Sequence, residues 1–166
     1  LMRCMVRQLD IDDLEVNSAG TDAYEGMPAS YGACSVIEER GGDLFNHAAV
    51  QLTRGHIEDA DLILTMGASH KAQVLRLCPE AAEKTHTLLG FATGTDQDIE
   101  DPFGGEQDVY LKTLDQIELA LKFSQKFPCT FHTDFFHQGI RTVVHRSRRH
   151  ISQKDSGNAQ KRADSY

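Results

Sequence analysis

Residues 99–110 read IEDPFGGEQDVY and hold one carboxylate in a constrained place. Pro102 fixes its own φ and pushes the preceding residue out of the helical region. Asp101 is therefore extended, on a loop that Gly104 and Gly105 let turn sharply. Such a loop presents a single carboxylate to a partner. An aspartate before a proline is also a plain turn former, so the identity of the partner decides what Asp101 does.

The other chemistry-bearing residues are dispersed. Cys4, Cys34, Cys78 and Cys129 contain no CxxC pair and read as free thiols rather than a disulfide framework. Cys129, His132, His137, His145 and His150 fall at C-x2-H and H-x4-H spacings that match no tight zinc pattern, so no metal is expected. The run HRSRRH at 145–150 lacks interleaved aromatics and reads as a solvated basic stretch, not a nucleic-acid surface.

Composition narrows the classes. At 166 residues with 40% hydrophobic content, the chain is one domain, or one domain with a tail. No apolar run approaches the ~18 residues of a membrane span, and no signal peptide is visible. With free thiols, this predicts a cytoplasmic protein with no membrane partner. The net charge of -8 argues against a general nucleic-acid binder. Residues 1–127 carry 10 Lys/Arg and 22 Asp/Glu, a net of -12; residues 128–166 carry 7 and 3, a net of +4. That break sets a boundary near Pro128 between a domain (1–127) and a basic tail (128–166), and after Phe136 the tail has little helical or strand periodicity.

These residues need a scaffold, and the pattern supplies one. Met2, Met5, Val6 and Leu9 recur at helical spacing with no capping residue before them, so the sequence reads as a fragment cut within its first helix. LEVNSA (14–19) is a strand. Pro28 opens a helix that Gly41 and Gly42 stop. Thr53 caps a short helix. Asp61 to Met66 is a continuous apolar run, as in a strand covered on both faces. A helix starts near Ser69, KTHTLL is a short strand, and a long amphipathic helix runs from Glu106 to about Phe127. His56, His70 and His86 read as surface residues. Strands alternating with helices imply a parallel α/β sheet, in which ligands bind beyond the carboxyl ends of the strands.

NSAGT (17–21), Pro28, HAAVQLT (47–53), ADLILTM (60–66), His70-Lys71 and DIEDPFGG with Tyr110 five residues on resemble, in order and spacing, the low-molecular-weight protein-tyrosine phosphatase family. The resemblance covers roughly residues 1–126. The DPFGG form looks most like the bacterial branch that includes protein-arginine phosphatases. It implies a three-layer α/β fold with a small parallel sheet. It also implies hydrolysis of phosphorylated protein, either phosphotyrosine or phosphoarginine, through a cysteinyl phosphate and with no cofactor. The family's thiolate lies in a CxxxxxR[S/T] loop after its first strand, and an aspartic acid in a DP dipeptide protonates the leaving group. Asp101 matches that acid. Tyr24 and Phe103 match the aromatic walls of the substrate cleft. Ser18 and His47 match residues that support the phosphate loop. Val50 stands where the family often has arginine, and Gly67 where some members carry Asp.

The phosphate loop itself is not among these residues. The resemblance places it upstream of Leu1, so the fold is expected to lack its first strand and the chain as given to be inactive. A phosphatase-like binding module is the non-enzymatic alternative, and a nucleic-acid binder using the basic tail ranks third. Cys34 to Arg40 has the CxxxxxR spacing, but it lies in a helical pattern, contains two glutamates and is followed by Gly41. It is expected not to be a phosphate loop.

Overall fold

Leu62–Thr65 has no polar alternation, so as a strand it must be covered on both faces, and all four residues are buried. The computed structural model describes residues 2–8, 14–95, 97–124 and 140–146. Around Leu62–Thr65 (β2), the elements in chain order are α1 (Met2–Gln8), β1 (Leu14–Gly20), α2 (Tyr31–Glu39), α3 (Arg54–Asp59), β2, α4 (Ala68–Leu77), a 3-10 turn (Pro79–Lys84), β3 (Thr85–Thr87), α5 (Leu88–Thr93), α6 (Gln107–Ser124) and β4 (Ile140–Arg146).

The sheet order is β1-β4-β2-β3. β2 and β3 run parallel, with Ile63 opposite Thr85 and Thr65 opposite Thr87. β4 is antiparallel to both of its neighbours. β1, β2 and β3 therefore share one direction, and Gly20, Thr65 and Thr87 end them at a common edge. These three form the parallel sheet that the sequence implies. The place between β1 and β2, which the resemblance leaves for an absent strand, is taken by β4. The sequence around 140–146 gave no sign of this, because the pairing partners lie at 14–20 and 62–64, far outside any local pattern. Residues 125–139 and 147–166, with Cys129, His132, His137 and His150, lie outside the described residues.

Two apolar layers cover the sheet. Val16, Leu62 and Leu64 pack with Met2, Val36, Leu114, Ile117 and Leu121 from α1, α2 and α6. On the other face Ala19 and Ile63 pack with Ile57, Val74, Cys78 and Ala81. The alternation of Leu62, Ile63 and Leu64 between the two layers is the period-2 geometry of a strand.

Local chemistry explains the ends of the elements. Thr53 caps α3, its hydroxyl accepting from the His56 N–H while His56 Nδ1 accepts from the Thr53 N–H. His56 is therefore half of a capping box rather than a simple surface residue. Helix α2 begins at Tyr31, not at Pro28, because Ser30 Oγ accepts from the Ala33 N–H. KTHTLL is a strand only to Thr87: that side chain accepts from the Gly90 N–H and turns Leu88–Thr93 into a helix. Gly32 brings α2 against α6; a Cβ there would lie 2.7 Å from Cε2 of Tyr110.

The corner after β2 anchors the loop of Asp101. Ile99 N–H donates to the Met66 carbonyl at 2.8 Å. The Asp98 carboxylate accepts from the Ala68 N–H at 2.8 Å and so caps α4, whose own N-cap, Gly67, has no side chain to offer. Gly67 makes room for it: a Cβ there would lie 2.7 Å from Cγ of Asp98.

Two outcomes follow from this packing. Gly67→Ala forces the Asp98 carboxylate off the helix end, so it removes a cap worth about 0.5–2 kcal/mol. Chemical denaturation should show that loss, and Gly67→Ala combined with Asp98→Ala should be little worse than either alone. Additive losses would show that the two residues act separately. His86 packs its ring 5.6 Å from that of Phe91, and burial, with Lys71 nearby, holds its pKa below the ordinary imidazole value. The unfolded chain then binds the proton first, so the contribution of His86 is complete above about pH 6.5 and is lost as pH falls below it. Melting temperature should drop between pH 7.5 and 5.5 more steeply for the wild type than for His86→Gln; parallel curves would remove His86 from the account.

Candidate active site

The sequence-predicted residues fall into two groups at the edge where β1 and β2 end. The first follows β1. Ser18 is half-buried within the strand, and Tyr24 stands in the loop beyond it with 75% of its surface exposed. His47 is half-buried on a later loop, its N–H bonded to the Leu44 carbonyl. These segments are laced together. Gly20 N–H donates to Val50 O and Leu52 N–H to Gly20 O, while Gly26 N–H donates to Ala49 O and Ala49 N–H to Met27 O. Gln51 completes the set, its N–H on Glu25 Oε2 and its Nε2 on Thr21 O. The bonds fix the loop of Tyr24 against the segment that carries His47. Met27 and Tyr31, also exposed, extend the apolar surface beside Tyr24. The sequence reading missed both, because an exposed aromatic carries no periodic signal.

The second group follows β2. The Asp101 loop is held to the sheet edge through Ile99 and Met66, and to α6 through Thr113 Oγ1 on the Glu100 carbonyl at 3.4 Å. Pro102 is buried, whereas Asp101 and Phe103 are exposed, Phe103 to 55%. Asp101 Oδ1 accepts from the Phe103 N–H at 3.0 Å, and Gly104 takes φ +77° before Gly105 N–H closes the turn on the Pro102 carbonyl. A positive φ of this kind is cheap only for glycine. One carboxylate oxygen is thus used to shape the turn, and the side chain points its charge away from the core. Asp98 and Tyr110 complete the support: Asp98 pins the loop at its start, and Tyr110, on α6, bonds Ser30 Oγ at 3.3 Å. Only a long-range contact could have shown Asp98 in this role.

The topology therefore brings Ser18, Tyr24 and His47 into one bonded unit and Asp101 and Phe103 into another, with β4 lying between β1 and β2. Neither described thiol completes them. Cys34 N–H is spent on the Ser30 carbonyl within α2, and Arg40, six residues on, is held by Asp115 at 2.6 Å and Glu118 at 3.5 Å. A guanidinium already paired with two carboxylates, on a helix whose amides are bonded internally, is no cradle for a phosphate dianion. Cys78 is buried, and burial, helped by its bond to Glu80, pushes its thiol pKa up, which disfavours the reactive thiolate. A cavity of about 480 Å³ beside β1 is lined by Ser18, Asn17, Val50 and His56, but also by Glu15 and Asp59, whose charges repel an anion. Among the described residues no cluster of His, Cys, Asp and Glu could hold a metal ion, and no helix is long and apolar enough to cross a membrane.

Comparison with known proteins agrees with this geometry. The profile of the low molecular weight phosphotyrosine protein phosphatase family matches residues 1–126. A protein-arginine-phosphatase of Geobacillus stearothermophilus is 40% identical over 117 residues, 70% of this chain and 78% of that protein. A protein-arginine-phosphatase of Bacillus subtilis is 34% identical, over 66% of this chain and 73% of its own length. Among solved structures, the YwlE arginine phosphatase from Geobacillus stearothermophilus superposes with a TM-score of 0.67 at 39% identity, covering 74% of this chain and 79% of that one. A low molecular weight protein tyrosine phosphatase from Bacillus subtilis gives 0.66 at 30% identity, over 75% of this chain and 81% of that one. With its ordered motifs, its parallel strands and its aspartate loop at their carboxyl edge, the chain belongs to the low molecular weight phosphotyrosine protein phosphatase family.

Proposed function

We propose that this chain forms the proton-donor and cleft portion of a phosphatase site for phosphorylated protein, with Asp101 as general acid. The supporting observation is the mounting of Asp101: an exposed carboxylate on a turn tied at once to the end of β2, to α4 and to α6. In the reaction a thiolate attacks phosphorus, and the bond to the leaving group breaks. Asp101 as the acid gives its proton to the departing oxygen or nitrogen. Its carboxylate then takes a proton from the water that attacks the cysteinyl phosphate and releases phosphate. Tyr24 and Phe103 flank the phosphorylated side chain, and Ser18 and His47 support the loop that cradles the phosphate. The attacking thiolate requires a CxxxxxR[S/T] loop, and none occurs in these 166 residues.

Phosphoarginine is the second reading of the substrate. It is favoured by relatives bearing that activity at 40% and 34% identity. A tyrosine-phosphatase relative from Ralstonia solanacearum stands at 30%. The two leaving groups make different demands on Asp101, one being a phenolic oxygen and the other a guanidino nitrogen.

The chain as given should not hydrolyse p-nitrophenyl phosphate, a phosphotyrosine peptide or phosphoarginine. Turnover that disappears on Cys34→Ala would overturn this expectation and the exclusion of that cysteine together. When a strand and a CxxxxxR[S/T] loop precede Leu1, Asp101→Ala should lower turnover of substrates with poor leaving groups by about 10²–10⁴-fold. Activated aryl phosphates, which hardly need a proton, should lose much less. Equal losses on both kinds of substrate would show that Asp101 is not the acid, and the ratio of kcat/KM for phosphoarginine and phosphotyrosine peptides decides the substrate.

A further inference from the structure

β4 differs from the other strands in three ways that bear on one another. It alone pairs with both β1 and β2: Val144 stands opposite Val16 and Leu62, Val143 opposite Asn17 and Ile63, and Thr142 opposite Ser18 and Leu64. It runs against its neighbours, whereas β1, β2 and β3 alternate with helices and run together. It also comes last of the described elements, after α6 has closed the apolar layer with Leu114, Ile117 and Leu121. Nothing described is threaded behind it, so withdrawing it unlaces no other connection.

The walls of the slot do not need β4 to stay together. Val16 of β1 and Leu62 and Leu64 of β2 belong to one apolar cluster, bound from below by α1, α2 and α6. Adjacent strands lie about 4.8 Å apart, so β1 and β2 with β4 removed leave a gap one strand wide, lined on both sides by unpaired backbone groups. The gap has a charge preference. Residues 1–127 carry a net of -12 and residues 128–166 a net of +4, and the register sets Glu15 opposite His145 and Leu14 opposite Arg146. The segment IRTVVHR also has the β-branched content that a pleated surface favours.

We propose that the space between β1 and β2 is a strand-binding site and that Ile140–Arg146 is its resident, detachable ligand. The site takes an extended, basic, β-branched segment antiparallel to both walls, by main-chain pairing on its two sides. It accepts the same segment when that segment is supplied as a separate molecule. The bound strand begins at Ile140, opposite Gly20, at the edge where the Tyr24 and Asp101 loops stand. Occupancy of the slot and access to that edge are therefore linked. The proposal does not depend on the phosphatase reading, and its test uses no turnover.

The test uses the full chain carrying Val143→Pro, which removes a donor from the middle of the ladder, and a fluorescently labelled peptide of residues 139–147, GIRTVVHRS. Anisotropy should show saturable binding to the variant and binding at least tenfold weaker to the wild type, whose own strand competes. The peptide with Val143→Pro and a scrambled peptide of the same charge should not bind. Absence of binding to the variant, or equal binding of the scrambled peptide, would overturn the proposal. If Val143→Pro prevents folding, hydrogen exchange on the wild type decides. Residues 140–146 should open together with Leu62–Thr65 and faster than Leu114–Leu121 of α6, whereas exchange of all three only with global unfolding would show that β4 is not detachable.

Discussion

Burial of Leu62–Thr65 on both faces is the constraint from which the rest of this protein follows. A strand with Leu62 and Leu64 in one apolar layer and Ile63 in the other requires helices above and below it. Helices on both faces leave only the strand ends for loops that carry chemistry. At the carboxyl end of this strand the backbone emerges with groups to spare: the Met66 carbonyl takes the Ile99 N–H, and the Ala68 N–H takes Asp98. The loop that presents Asp101 is thus fastened to the most buried strand of the described sheet. A carboxylate so mounted keeps its position without being buried, which a proton donor needs if water and substrate are both to reach it.

Much of this was legible in the sequence because it was local. The apolar run 61–66, the cap at Thr53 and the Asp-Pro turn each announce themselves within a few residues, and each stands where the pattern puts it. The ordered motifs carried the family. What escaped was set by partners far along the chain. Asp98 caps a helix thirty residues away, and β4 pairs with strands more than seventy residues earlier. Thr87 was misread for another reason: threonine suits both a strand and a helix cap, and the bond to Gly90 N–H chooses the cap. Of the candidate site, the residue identities were readable, but their division into two bonded units was not, since that division is made by backbone hydrogen bonds between loops.

Electrostatics separates the false site from the real one more cleanly than spacing does. Arg40 has the right interval from Cys34, yet Asp115 and Glu118 hold its guanidinium. The acidic balance of residues 1–127 also sets a field that repels a phosphate dianion at long range. A substrate of this kind must be captured by short-range donors, and so the position of the few groups at the strand edge matters more than the charge of the body as a whole.

The contact between Gly32 and Tyr110 has a mechanical consequence. Because glycine lets α2 and α6 touch backbone to ring, and Tyr110 is bonded to Ser30 at the start of α2, the two helices form a single stiff strut beneath the sheet. One end of the strut leads into the loop of Tyr24 and the other follows directly from the loop of Asp101. The spacing between the two halves of the cleft is therefore gauged by a helix pair on one face, and it can stay fixed while the strand lying between them comes and goes.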